Sequence, residues 1–186
     1  MNVTGQATAR DCLKCPPGYY CGGTALPGPT GPCDPGHYCT GGAESPRQFI
    51  APNGTYAPAG SSFPVQCLPG TFNNEYAQAR CPPCPAGFFC EDPGMTVPTT
   101  CPAGSYCDTG SNVPTQCSAG TFNPQTGALS RLACTNCTAG MFCPTSGLIA
   151  PTGLCDSGHL CTTGSSLSDP VGEIFGDVCP PGYFCP

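Results

Sequence analysis

Apolar positions along this chain come in short runs broken by Gly and Pro, and none sustains the 3.6-residue period of an amphipathic helix. What recurs is a seven-residue frame: cysteine first, glycine fourth, an aromatic sixth and cysteine seventh, as in CPAGSYC at 101–107. Ten copies begin at Cys15, Cys33, Ala51, Cys67, Cys84, Cys101, Cys117, Cys137, Cys155 and Cys179. Glycine holds the fourth position in every copy, from Gly18 to Gly182, and only Leu160 replaces the aromatic at the sixth. The frame returns every 16 to 24 residues, the period of linear repeat arrays. The segments between copies, such as 22–32 and 162–170, are rich in Gly, Pro, Ser and Thr and suit turns and extended chain. The expected fold is therefore a set of small disulfide-rich repeats: an elongated linear array of short loops and β-hairpin-like turns, with little helix and no large hydrophobic core.

Composition explains how such a chain could be ordered. It has 26 Gly and 25 Pro among 186 residues, which alone would favour disorder, but also 19 Cys, the density of a secreted disulfide scaffold. Charged residues make up only 9 %, and five Lys+Arg against a net charge of −6 argue against a nucleic-acid partner or an anionic membrane surface. No stretch of 18 apolar residues is present to span a bilayer. Met1 to Asp11 lacks the basic start and apolar run of a secretory leader, so the chain is expected to be a window from a longer secreted protein.

A longer signature, C-x2-C-x5-C, occurs at 12-15-21, 81-84-90 and 134-137-143. Long arms opening on Gly-Thr-Phe-Asn precede the last two, at 67–81 and 117–134, and place Asn73 and Asn123 where the seventh-position cysteine would stand. Residues 1–11 resemble the back half of a third arm, with Thr4-Gly5 before Cys12 matching Thr126-Gly127 before Cys134. Repeat units are accordingly expected at 1–66, 67–116 and 117–186.

One copy constrains the pairing. Residues 51–57, APNGTYA, keep the frame but carry Ala at both cysteine positions. If loop cysteines bonded to different neighbours, this copy would strand two thiols; if each loop closes on itself, it loses one bridge and strands none. Self-closure predicts Cys15–Cys21, Cys33–Cys39, Cys84–Cys90, Cys101–Cys107, Cys137–Cys143, Cys155–Cys161 and Cys179–Cys185, with the arms closed by Cys67–Cys81 and Cys117–Cys134. Cys12 is then left over, its partner expected upstream. Pro and Gly inside each loop favour a type I or II turn that brings the ends within the 4.4–6.8 Å a disulfide spans. The sixth-position aromatic is expected to pack on its own bridge or on the neighbouring repeat.

The pattern CxxGTF…CxxCPxGxYC…CPxGxYC resembles the ephrin-receptor-like cysteine-rich repeat, and more loosely TNF-receptor-type and EGF-like modules. The resemblance covers nearly the whole chain and implies a secreted or cell-surface protein in an adhesive, receptor or structural role. The shared residues are the framework itself, so it carries over no ligand-binding residue. The Ala51/Ala57 copy and Leu160 depart from the pattern.

Little else suggests chemistry. The CxxC pairs lie 69 and 53 residues apart, too scattered in sequence for the usual paired zinc knuckle, and no βαβ context supports a redox role. His37 and His159 occupy matching fifth positions near Asp34 and Asp156, the one arrangement resembling a paired acid and base; a variable exposed loop position is the plainer reading. Glu91-Asp92 is the lone acidic doublet. No catalytic, metal or cofactor-binding residue is expected, and no enzymatic activity. Sequons at Asn2, Asn53 and Asn136 are candidate N-glycan sites. The expected role is an extracellular structural segment, a disulfide-stapled rod in a surface filament, flagellar hair or matrix at the cell or cilium surface. Its partners would be itself or other matrix proteins. The alternative is a receptor stalk or ligand-binding ectodomain, which would favour a non-repetitive patch of aromatics and Arg; only Phe49, Phe63, Tyr76 and Phe175 lie outside the frame, and Arg are few.

Overall fold

The computed structural model describes residues 13–183 and Cys185. Cys12, Asn2 and the Thr4-Gly5 segment lie outside the described residues. The chain divides into two compact units, one of Met1–Leu68, Phe72–Pro82 and Pro93–Val97, the other of Pro69–Thr71, Pro83–Asp92 and Pro98–Pro186. Among the described residues there is no α-helix, only a 3-10 turn at Arg131–Ala133, and no helix is long and apolar enough to cross a membrane.

Order begins in the loop. The fifth-position N–H bonds back to the second-position carbonyl, as in Tyr19 to Pro16 (3.1 Å) and Met141 to Thr138 (3.0 Å). The fourth-position glycine between them has φ of 74° to 89° in all ten copies. Positive φ at the third residue of a turn is the type II signature, and a residue with a Cβ is strained there.

Each loop then makes a hairpin with the chain that follows it. Its fifth and sixth residues pair antiparallel with the two residues just before the next loop. In the first unit β1 (Tyr19–Tyr20) pairs with β2 (Gly31–Pro32), β3 (His37–Tyr38) with β4 (Phe49–Ile50) and β5 (Thr55–Tyr56) with β6 (Val65–Gln66). In the second, β7 (Phe88–Phe89) pairs with β8 (Thr99–Thr100), β9 (Ser105–Tyr106) with β10 (Thr115–Gln116) and β11 (Thr121–Phe122) with β12 (Thr135–Asn136). There too β13 (Met141–Phe142) pairs with β14 (Gly153–Leu154), and β15 (His159–Cys161) with β16 (Gly176–Val178). A single bridge, Thr71 to Pro83, stands in the corresponding place after Cys67. No sheet among the described residues exceeds two strands. Such hairpins are marginal alone, so their stability must come from the loops and the contacts between them.

The glycine supplies those contacts. In the first unit the N–H groups of Gly18, Gly36 and Gly54 donate to the carbonyls of Cys39, Ala57 and Asn73, the seventh positions of the next loops. In the second, Gly70, Gly87, Gly104, Gly120, Gly140 and Gly158 donate likewise to Cys90, Cys107, Asn123, Cys143, Cys161 and Cys185. The same glycine carbonyl accepts the N–H of the next loop's first residue, from Cys33 to Gly18 (3.0 Å) through Cys179 to Gly158 (2.8 Å). Each of these nine glycines thus clamps both ends of the following loop through backbone alone, whether that loop is closed by a bridge or not.

A second residue locks eight of these steps. Three or four residues beyond the seventh position, Gly42, Gly60, Ala77, Gly94, Gly110, Gly127, Gly147 and Gly164 donate their N–H to the first-position carbonyl of the preceding loop. All eight have positive φ. Ala77 is the one without glycine's freedom, at φ 59°.

The core is correspondingly small: twelve of the bridged cysteines with Ala43, Ala51, Ala57, Ala128 and Phe89. Tyr20 packs against the Cys33–Cys39 bridge of the next loop, and Phe89 against Cys101–Cys107. In both cases the sixth-position aromatic covers its neighbour's disulfide.

Candidate functional site

Nine disulfides are present among the described residues. Seven close a loop on itself: Cys15–Cys21, Cys33–Cys39, Cys84–Cys90, Cys101–Cys107, Cys137–Cys143, Cys155–Cys161 and Cys179–Cys185. Two close the arms, Cys67–Cys81 and Cys117–Cys134. Their Cα–Cα distances of 5.6 to 6.3 Å lie in the ordinary range. The cysteines of both described CxxC pairs are committed to these bridges and present no thiolate to a metal. Among the described residues no group of three or more His, Cys, Asp or Glu is placed to hold a metal ion.

In the arms, asparagine stands in for cysteine. Asn73 and Asn123 are 2 % and 1 % exposed. Asn123 Nδ2 donates to the carbonyls of Ser105 and Gln125, both at 3.0 Å, and Oδ1 accepts the Gln125 N–H at 3.0 Å. Asn73 donates to the Thr55 carbonyl (2.6 Å) and accepts from Glu75 N–H (3.0 Å). Each therefore ties the loop to the fifth position of the preceding loop, and the cysteine it displaces frees the first position to close the longer arm. The frame identified these positions in sequence, but a partner 18 residues away in the preceding copy left no local signal.

The histidine–aspartate pairs are not assembled. The Asp34 carboxylate accepts from Arg47 Nε at 2.7 Å, and Asp156 accepts from Ser168 Oγ at 3.1 Å. His37 Nδ1 lies 3.4 Å from the Pro35 carbonyl, and His159 Nδ1 is buried without a hydrogen-bond partner. Glu91 and Asp92 are exposed. The Asp177 carboxyl is held below its usual range, because the backbone N–H groups of Gly172 and Val178 donate to its Oδ1.

Two surfaces offer area for contact. On the first unit Tyr38 and Phe49 stack across β3–β4 with ring centroids 5.4 Å apart, beside the exposed Arg47. Phe49, Phe63, Tyr76 and Phe175 are all exposed. On the second unit a shallow depression of about 550 Å³ runs along the arm, lined by Gln125, Leu129, Leu132 and Thr135. Leu132 is 95 % exposed, so the depression encloses nothing. Of the sequons, Asn53 is exposed at the tip of its turn and Asn136 is exposed on β12. No protein-family profile matches the chain, and a search of curated proteins finds no relative.

Proposed function

We propose that this chain is a segment of an extracellular structural protein, contributing to a surface filament, flagellar hair or matrix, with itself or other matrix proteins as partners and no enzymatic activity. The observation that carries the reading is the glycine clamp. Each copy binds the next through the same backbone hydrogen bonds, irrespective of its exposed side chains and even of its own disulfide. Such a framework can be extended copy by copy without new recognition chemistry. Nine disulfides place it in an oxidising compartment, and the extracellular or cell-surface location extends that inference. The likeness to ephrin-receptor-like repeats agrees with it.

The Tyr38–Phe49 stack beside Arg47 favours a second reading, a receptor stalk or ectodomain, since exposed aromatics and arginine dominate protein-binding surfaces. Negative-stain images of the native material separate the two. Ordered fibres containing the chain support the structural reading; dispersed single molecules that lose cell binding on Phe49→Ala support the other.

A further inference from the structure

We propose that Asn53 is an N-glycan acceptor and that the Asn136 sequon is kept empty by its own disulfides. Asn53, in Asn-Gly-Thr, stands at the exposed third position of its loop, held elsewhere by Pro, Ala or Ser. Its side chain makes no hydrogen bond among the described residues, so attaching a sugar there breaks none. What sets it apart is covalent. Its loop has Ala51 and Ala57 in place of cysteines, and the nearest bridged cysteines are Cys39 and Cys67. Residues 40–66 are the longest stretch between bridged cysteines among the described residues. A transferase must draw the sequon away from the fold into its own extended cleft, and this stretch can open locally without breaking an S–S bond.

Asn136 is placed oppositely. The middle residue of its sequon is Cys137, bridged to Cys143, and two residues before it Cys134 is bridged to Cys117. Asn136 also pairs with Thr121 in β11–β12, and its side chain lies over Gly164 beside the Phe175 ring. Once the two bridges close, the sequon cannot be extracted. Exposure alone would rank the two sites equal; the bridges separate them.

The donor is an oligosaccharide on a polyisoprenyl pyrophosphate. The bond from Asn53 Nδ2 to the anomeric carbon forms and the bond from that carbon to the phosphate oxygen breaks. The pyrophosphate leaves with the electron pair, and one Nδ2 proton is lost. The inference needs only passage through a secretory compartment and stands apart from the filament reading.

The test is site occupancy by mass spectrometry after enzymatic deglycosylation in heavy-oxygen water. The full chain is directed into the secretory pathway of a eukaryotic cell. Total cellular material is read, so that a variant failing to leave the cell is still scored. Expected are a glycan at Asn53, none at Asn136, and a gain at Asn136 when dithiothreitol is present during synthesis. Cys137→Ser/Cys143→Ser, which keeps that sequon, should also gain the Asn136 glycan. Ala51→Cys/Ala57→Cys should lose most of the Asn53 glycan. An empty Asn53, equal occupancy at both sites in the unaltered chain, or an Asn136 that stays empty without its bridge overturns the proposal.

Discussion

Gly104 faces the carbonyl of Gly147 so closely that a Cβ on Gly104 would overlap the Gly147 oxygen, while its own N–H donates to Asn123 at 2.7 Å. Two demands therefore fall on one residue, a left-handed backbone and a neighbour at the van der Waals limit. Gly140 meets only the first: its φ is 81°, but nothing lies within 4 Å of a Cβ built there. Gly140→Ala should cost about 1–2 kcal/mol from backbone strain. Gly104→Ala should cost clearly more, since the obstructing atom is backbone and cannot swing aside. Amide hydrogen exchange under oxidising conditions, compared at the Cys117 N–H and the Cys155 N–H, reads both effects in one unit. Equal losses would remove the close approach from the account.

Asn123 is the polar counterpart of a bridge. Asn123→Ala removes the donor to the buried Ser105 residue's carbonyl and the acceptor of the Gln125 N–H. Leaving buried groups unpaired costs about 1–3 kcal/mol. The expected result is a lower thermal midpoint with all nine disulfides intact by peptide mapping. An unchanged midpoint would make the side chain a bystander.

The cysteine-free loop should accept a bridge. Ala51 and Ala57 are fully buried at the positions cysteines occupy in the other short loops. Ala51→Cys/Ala57→Cys closes a loop of the same length as its neighbours, worth roughly 2 kcal/mol in the chain-entropy account. That corresponds to ~30-fold slower exchange of the Gly54 and Ala57 amides where local opening governs exchange. No slowing despite a formed bridge would show that the backbone clamp already holds this loop fully.

Acid should loosen one hairpin selectively. The Asp177 carboxyl is held below its usual range by the N–H groups of Gly172 and Val178. A depressed folded-state value means the contribution is present above the ordinary, unfolded-state carboxylate value and is lost as pH falls through the folded one. The Gly172 and Val178 amide resonances should shift together on acidification below about pH 4, and Asp177→Asn should abolish that titration. Resonances that stay constant through that range would rule out the carboxylate contacts.

The loops were legible in the sequence because everything that makes them lies within seven residues: a turn, a glycine and two thiols. The Ala51/Ala57 copy allowed self-closure to be argued from the residues. What lies between loops was not legible. Strands such as Tyr19–Tyr20 and Gly31–Pro32 are two residues long, too short for any alternation of side chains to announce them. The second series of left-handed residues, Gly60 and Gly127 among them, sits in inter-loop and arm segments whose turns the sequence does not place. Their register shows once the Cys33 and Cys101 carbonyls they bind are known. The aromatic's target stayed open between its own bridge and the neighbour's for the same reason, since Tyr20 and Phe89 reach into a different copy.

The spacing of the bridges also has a mechanical meaning. A pull on the two ends of this chain travels through each S–S bond and bypasses the residues it encloses, so the looped segments hold length that tension cannot release. Residues 40–66 have no such bypass: non-covalent contacts alone resist their extension, namely hydrogen bonds, the Arg47–Asp34 ion pair, the stacked ring pair and the buried alanines. Shorter stretches such as 22–32 and 162–178 also lie outside any bridge, so in a force–extension trace residues 40–66 should give the longest single lengthening step, making the bridge-free copy the most extensible link among the described residues.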